Sequence, residues 1–182
     1  MKHDGGWKRR SSLYLFESPW FNLRQDEVAL PSGERITYTL VEHPGYAMVV
    51  PLLSDGHVVM ERLFRYTVQE TVLECPSGGL GDDAPEAAAR RELLEETGYA
   101  ARRLRSLGSF YGSNGISDEL FHLFLATELE DTGQTRREST EQMEVVLLPL
   151  EDAFQLAASG GIKDGPSALA LILGHRLASQ TV

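Results

Sequence analysis

Hydrophobic and polar positions along the chain switch between two periods, and the switch marks the elements. "RITYTLVEH" (35–43) alternates as a half-buried strand does, while "AMVVPLL" (47–53) is a continuous apolar run that suits a strand covered on both faces. "SDG" (54–56) reads as a hairpin turn into the next strand, "HVVMERLFRY" (57–66). "TVLECP" (71–76) is stopped by Pro76 and the glycines behind it, and "LRSLGSFYG" (104–112), "ELFHLFLATEL" (119–129) and "MEVVLLPL" (143–150) complete the strand-like runs. "LEDAFQLAAS" (150–159), ended by Gly160 and Gly161, and "GPSALALILGHRLAS" (165–179), with Pro166 in its first turn, carry the helical period. Together they predict an α+β sandwich: a mostly antiparallel or mixed sheet with helices packed on it.

One further helix stands out by its charge. "ARRELLEETGY" (89–99) holds Glu92, Glu95 and Glu96 within about 100° of the helix circumference. Asp83 and Glu86 have the spacing of a capping box, Pro85 suits the first turn, and Gly98 supplies a left-handed stop. Ala88 and Ala89 fall beside the glutamates, and Ala87, Leu93 and Leu94 are expected on the opposite, core-facing side. Arg91 can pair with Glu95 four residues on. Two readings are open for this face. It is either a solvated acidic surface or, beside the Gly-rich "PSGGLGDDAP" (76–85), a site for a hard divalent cation that shares its ligands with substrate phosphates.

Composition narrows the partners. The 182 residues suit one domain with a real core, at 42% hydrophobic and 24% charged. A formal charge of −10 argues against nucleic acid, which wants a basic face. No apolar run approaches the ~20 residues that span a bilayer, the N-terminus does not read as a signal peptide, and the single Cys75 fits a reducing compartment. The expectation is a cytoplasmic protein without a membrane partner. Aromatics in "LYLFESPWFNLR" (13–24) form an extra strand or a base-stacking surface, with Trp20 either stacking on a base or buried at a subunit interface.

Residues 76–99, "PSGGLGDDAPEAAARRELLEETGY", resemble the Nudix box, G-x5-E-x7-R-E-U-x-E-E-x-G-U with U aliphatic. Arg91 to Gly98 match every defined position and Tyr99 takes the last aliphatic place. In the first half Asp83 stands where the pattern has Glu, and the loop is one residue short counted from Gly78. The flanking segments, over roughly residues 20–175, are similar to those of the ADP-ribose and ADP-sugar pyrophosphatases. Ser113-Asn114-Gly115 stands where the ADP-ribose enzymes usually have Ser-Pro-Gly.

The resemblance implies a Nudix-like α/β/α sandwich with a mixed sheet, formed by residues 44–182 and preceded by an N-terminal strand segment, 1–43, used for dimerisation. It implies hydrolysis of the diphosphate bond of a nucleoside diphosphate linked to another moiety, with Mg²⁺ or Mn²⁺. Glu92 and Glu96 would be metal ligands, with Glu95 a further ligand or a group behind them, and the Ser77 carbonyl would complete the set. A late loop glutamate would act as general base: "DTGQTRRESTEQMEVV" (131–146) offers Glu138 and Glu141, the latter in register with the family's acid. Arg65 resembles the arginine that contacts substrate phosphate or ribose; Glu70 and Glu74 are weaker candidates. His43 and His122 read as structural. The alternatives are a Nudix enzyme for coenzyme A, a dinucleotide or a nucleoside triphosphate, and a Nudix-like binding module without catalysis.

Overall fold

The computed structural model describes residues 5–136 and 143–180. They form two compact units, each with its own internal contacts: residues 5–45 with 111–120, and 46–110 with 121–136 and 143–180.

In the first unit, β1 (Lys8–Glu17), β2 (Asn22–Ala29) and β3 (Arg35–Glu42) make an antiparallel sheet in the order β1-β2-β3. An ionic chain crosses its strands. Arg24 Nε and Nη2 each donate to Asp26 at 3.0 Å, Arg24 also binds Glu42, Ser12 Oγ donates to Asp26 at 2.6 Å and Tyr14 Oη to Glu42 at 3.0 Å. Segment 111–120 lies along β3: Val41 N–H donates to the Ile116 carbonyl, and His43 N–H to Asp118. β1 is an edge strand exposed along its whole length.

In the second unit β4 (Tyr46–Pro51) is the organising strand. It pairs antiparallel with β7 (Ser77–Gly79) and parallel with β9 (Leu120–Asp131), and β8 (Tyr99–Tyr111) forms the far edge, giving the order β7-β4-β9-β8. The apolar run of β4 is explained by cover on both faces. Met48 and Val50 pack with Leu171 and Ala170 of α3 (Gly165–Ala178) and Ala153 of α2 (Leu150–Ala158). Ala47 and Val49 pack with Ala88, Ala89 and Leu93. A second sheet, β10-β5-β6 (Met143–Pro149, His57–Arg65, Glu70–Glu74), adds Val58 and Met60 to the first cluster.

The expected hairpin turn at residues 54–56 is present, with Leu53 N–H donating to the His57 carbonyl, but it joins no extended ladder. Leu52 and Val58 make a single bridge, after which β4 and β5 run into different sheets. The turn chemistry was right; the long-range partners β9 and β10 outcompete local pairing.

Candidate active site

The acidic helix begins at Pro85, continues as α1 to Glu92 and ends in a π-helical turn, Leu93–Thr97. Its caps differ from expectation. Ala84 is the N-cap and makes no side-chain bond. Asp83 instead accepts from Arg91 Nε at 3.1 Å, so the charged partner wins over the backbone N–H groups that a capping box would serve. Gly98 does end the helix, at φ +80°, with its N–H on the Leu94 carbonyl.

The expected core-facing side holds for Leu93 but not for its neighbours. Ala88, Ala89, Leu93, Glu92 and Glu96 are buried, while Ala87 and Leu94 face outward. The alanines explain this. Having almost no side chain, they let α1 sit close on β4 and β7, and that approach carries the two glutamates inward. Burying two carboxylates is costly unless hydrogen bonds or cations compensate.

The compensation is built around β7. Ser77 N–H donates to Glu96 Oε2 at 2.9 Å. The Glu92 carboxylate lies against Gly78 so closely that a Cβ there would fall 2.1 Å from its Cδ; any side chain larger than glycine's would push the carboxylate away. Arg91 then ties loop to helix. Its Nη1 reaches Glu92 at 2.5 Å and Glu95 at 3.4 Å, and its Nη2 donates to the Gly79 carbonyl at 2.9 Å. Burial would lower the Arg91 pKa, but its bonds to Asp83 and Glu92 raise it, so it stays charged. The acid at position 83 thus holds Arg91 rather than capping the helix.

Arg65 closes β5, where Glu74 of the adjacent strand grips it. Arg65 Nε lies 3.0 and 3.2 Å from the two Glu74 oxygens and Nη2 lies 2.5 Å from Oε2. The Glu74 bonds, outweighing burial, raise the Arg65 pKa, and Asp164 and Glu96 add to the effect, which places Arg65 within the field of the acidic helix. Asp164 also caps α3 by accepting from Ser167 N–H at 2.8 Å. Glu70, opposite Arg65 in the ladder, is exposed.

Of the residues singled out from sequence, the second unit brings Glu92, Glu95, Glu96 and Ser77 together, with Arg65 in electrostatic reach. Trp20 is exposed in the first unit. Glu138 and Glu141 lie outside the described residues. Among the described residues no three His, Cys, Asp or Glu side chains are grouped tightly enough to cage a metal. The hard oxygen pair Glu92 and Glu96 still fits Mg²⁺, which keeps waters and takes only one or two carboxylates from its protein. Burial pushes the Cys75 thiol pKa up, so it stays an inert thiol.

These buried carboxylates, set on a helix behind a glycine turn, are the hallmark of one group of proteins: the chain belongs to the NUDIX domain family, whose pattern matches residues 42–168. Within it, residues 7–41 match the nucleoside diphosphate sugar hydrolase N-terminal domain. The chain is 36% identical over 159 residues to an ADP-ribose pyrophosphatase of Bacillus subtilis (strain 168), covering 86% of each protein. It is 31% identical over 170 residues to a GDP-mannose pyrophosphatase of Yersinia pestis (strain Pestoides F), again covering 86% of each. In structure it resembles an ADP compounds hydrolase with a TM-score of 0.84 at 20% identity, over 100% of this chain and 98% of the other, a likeness of fold.

Proposed function

We propose that this Nudix pyrophosphatase, which acts on nucleoside-diphosphate-linked substrates, takes ADP-ribose or a nucleotide sugar and releases a mononucleotide. The observation that carries the reading is the pair Glu92 and Glu96, one helical turn apart, buried against Ser77 and Gly78. The relatives' activities on ADP-ribose and GDP-mannose point to the substrate class.

Nudix hydrolases generally use divalent metals, and Mg²⁺, or Mn²⁺, is the ion proposed here. It would be held by Glu92 and Glu96, with Glu95 and the Ser77 carbonyl as further donors, and when bound it neutralises the diphosphate and lowers the pKa of water. Gly78 leaves the Glu92 carboxylate room, the Ser77 N–H fixes the rotation of Glu96, and Arg91 keeps Glu95 and the loop in place. Arg65, with Glu70 nearby in the ladder, contacts the phosphate or ribose. Glu141, or failing it Glu138, takes the proton from the attacking water.

The protein is further proposed to be a cytoplasmic homodimer. The outer edge of β1 has no strand partner among the described residues, and the strand exposes Leu13, Tyr14, Leu15 and Phe16, with Trp20 (73% exposed) and Phe21 following. A second copy would cover these groups, and Trp20 would stack on a base. Among the described residues no helix is long and apolar enough to cross a membrane.

The test is a panel of ADP-ribose, ADP-glucose, GDP-mannose, FAD and NADH with Mg²⁺, reading released mononucleotide. ADP-ribose or a nucleotide sugar should give the highest kcat/KM. Preference for a dinucleotide, or no release from any, refutes the substrate reading.

A further inference from the structure

We infer that Glu74 is a positioning residue, which aims Arg65 at the phosphate-bearing part of the substrate. This rests on the reading of Arg65 given above. The geometry is specific: Glu74 takes the Nε and Nη2 edge of the guanidinium, leaving Nη1 without a hydrogen bond among the described residues. The Glu74 side chain is 8% exposed and that of Arg65 47%, so one end of the pair is fixed in the protein and the other faces solvent. A planar fork held along one edge presents its remaining donors in a set direction.

Stability alone is a poor reason for this arrangement. Glu61 lies directly opposite Glu74 in the ladder, and both are buried. Two acids directly opposed are an unfavourable placement in a sheet, and an ion pair whose arginine is half-exposed adds little to stability. Aiming Arg65 accounts for the placement of the carboxylate. Arg65 also feels the charge of Glu96 on the acidic helix.

The experiment is a double-mutant cycle with Mg²⁺ and ADP-ribose, or GDP-mannose if the wild type prefers it. The variants are Glu74→Gln, Arg65→Ala and the double substitution, each checked for folding by circular dichroism. Glu74→Gln should lower kcat/KM about 10-fold, and should cost less than about 2-fold more in the Arg65→Ala background, because the two act as a unit. An unchanged kcat/KM in Glu74→Gln overturns the inference, as does a full loss that persists without Arg65. If Glu74→Gln fails to fold, Arg65→Lys carries the test: it keeps the charge opposite Glu74 but lacks the fork, and wild-type kcat/KM would overturn the inference. An Arg65→Ala variant as active as wild type removes the role of Arg65, and this inference with it, while leaving the hydrolase reading standing. A wild type that cleaves neither probe refutes the substrate reading first.

Discussion

Gly78→Ala isolates the contact on which the acidic pair depends. The backbone there is ordinary strand, paired with Ala47, and the three nearest atoms to an added Cβ all belong to the Glu92 carboxylate, at 2.1, 2.2 and 2.5 Å. Ordinary contact begins at 3.4 Å, so the carboxylate must retreat by about 1.3 Å, the difference between 3.4 and 2.1. A side-chain end can swing away cheaply, so the protein should fold. A misplacement of about 1 Å in a reacting assembly costs on the order of 10²-fold, or ~2.7 kcal/mol of barrier. The expected result is a ~10²-fold fall in kcat, a higher Mg²⁺ concentration for half-activation, and a Tm within a few degrees of wild type. Initial rates of mononucleotide release across a Mg²⁺ series, with calorimetry alongside, read all three. Gly79→Ala is the control, since a Cβ there meets nothing within 4 Å. Wild-type kcat and Mg²⁺ dependence in Gly78→Ala would refute the placement of Glu92 in the site.

The other expectations bear on the remaining parts. Glu96→Gln should lower kcat at least ~10²-fold with little change in folding, read by steady-state rates and circular dichroism. Glu141→Gln should depress kcat ~10²–10⁴-fold with substrate affinity retained; if Glu138→Gln gives the larger loss, the base lies three residues earlier. Deleting residues 1–21 should yield monomers with weaker substrate binding, and a monomeric full-length protein in light scattering at micromolar concentration would defeat the dimer. For Asp26, burial raises the pKa, but the Ser12 hydroxyl and Arg24 more than offset it and bring it below the ordinary 3.8. A lowered folded pKa gives stability that is present above about pH 4 and lost as pH falls through the folded value. Asp26→Asn should therefore cost about 3 kcal/mol at pH 7 in urea unfolding, with the gap to wild type narrowing below pH 4.

Sequence patterning located most elements because their signals are local. The runs at 35–43, 57–66 and 143–150 match β3, β5 and β10 nearly residue for residue, and both C-terminal helices lie where their period put them. The glutamate cluster was visible for the same reason. The helix face was misjudged because alanine carries little hydrophobic signal: Ala88 and Ala89 looked neutral beside Leu94, yet close approach to β4 favours the smaller side chains. The grip of Glu74 on Arg65 was not legible, since a contact across two strands depends on register, and only the partnership of β5 and β6 fixes that. Nor could spacing reveal that Asp83 would choose Arg91 over the helix N-terminus.

The parallel partnership of β4 and β9 has a consequence for how the protein is made. Tyr46 pairs with Phe121, so the strand beneath the acidic helix waits for a segment 75 residues further along the chain, the difference between 121 and 46. Closing so large a loop is slow, and the apolar run of β4 leaves the ribosome well before its neighbour exists. During synthesis "AMVVPLL" finds β7 on one edge early, but its other edge stays unpaired and sticky until β9 has arrived. Yield of active enzyme should accordingly depend on temperature and chaperone supply during expression more steeply than the stability of the finished protein does.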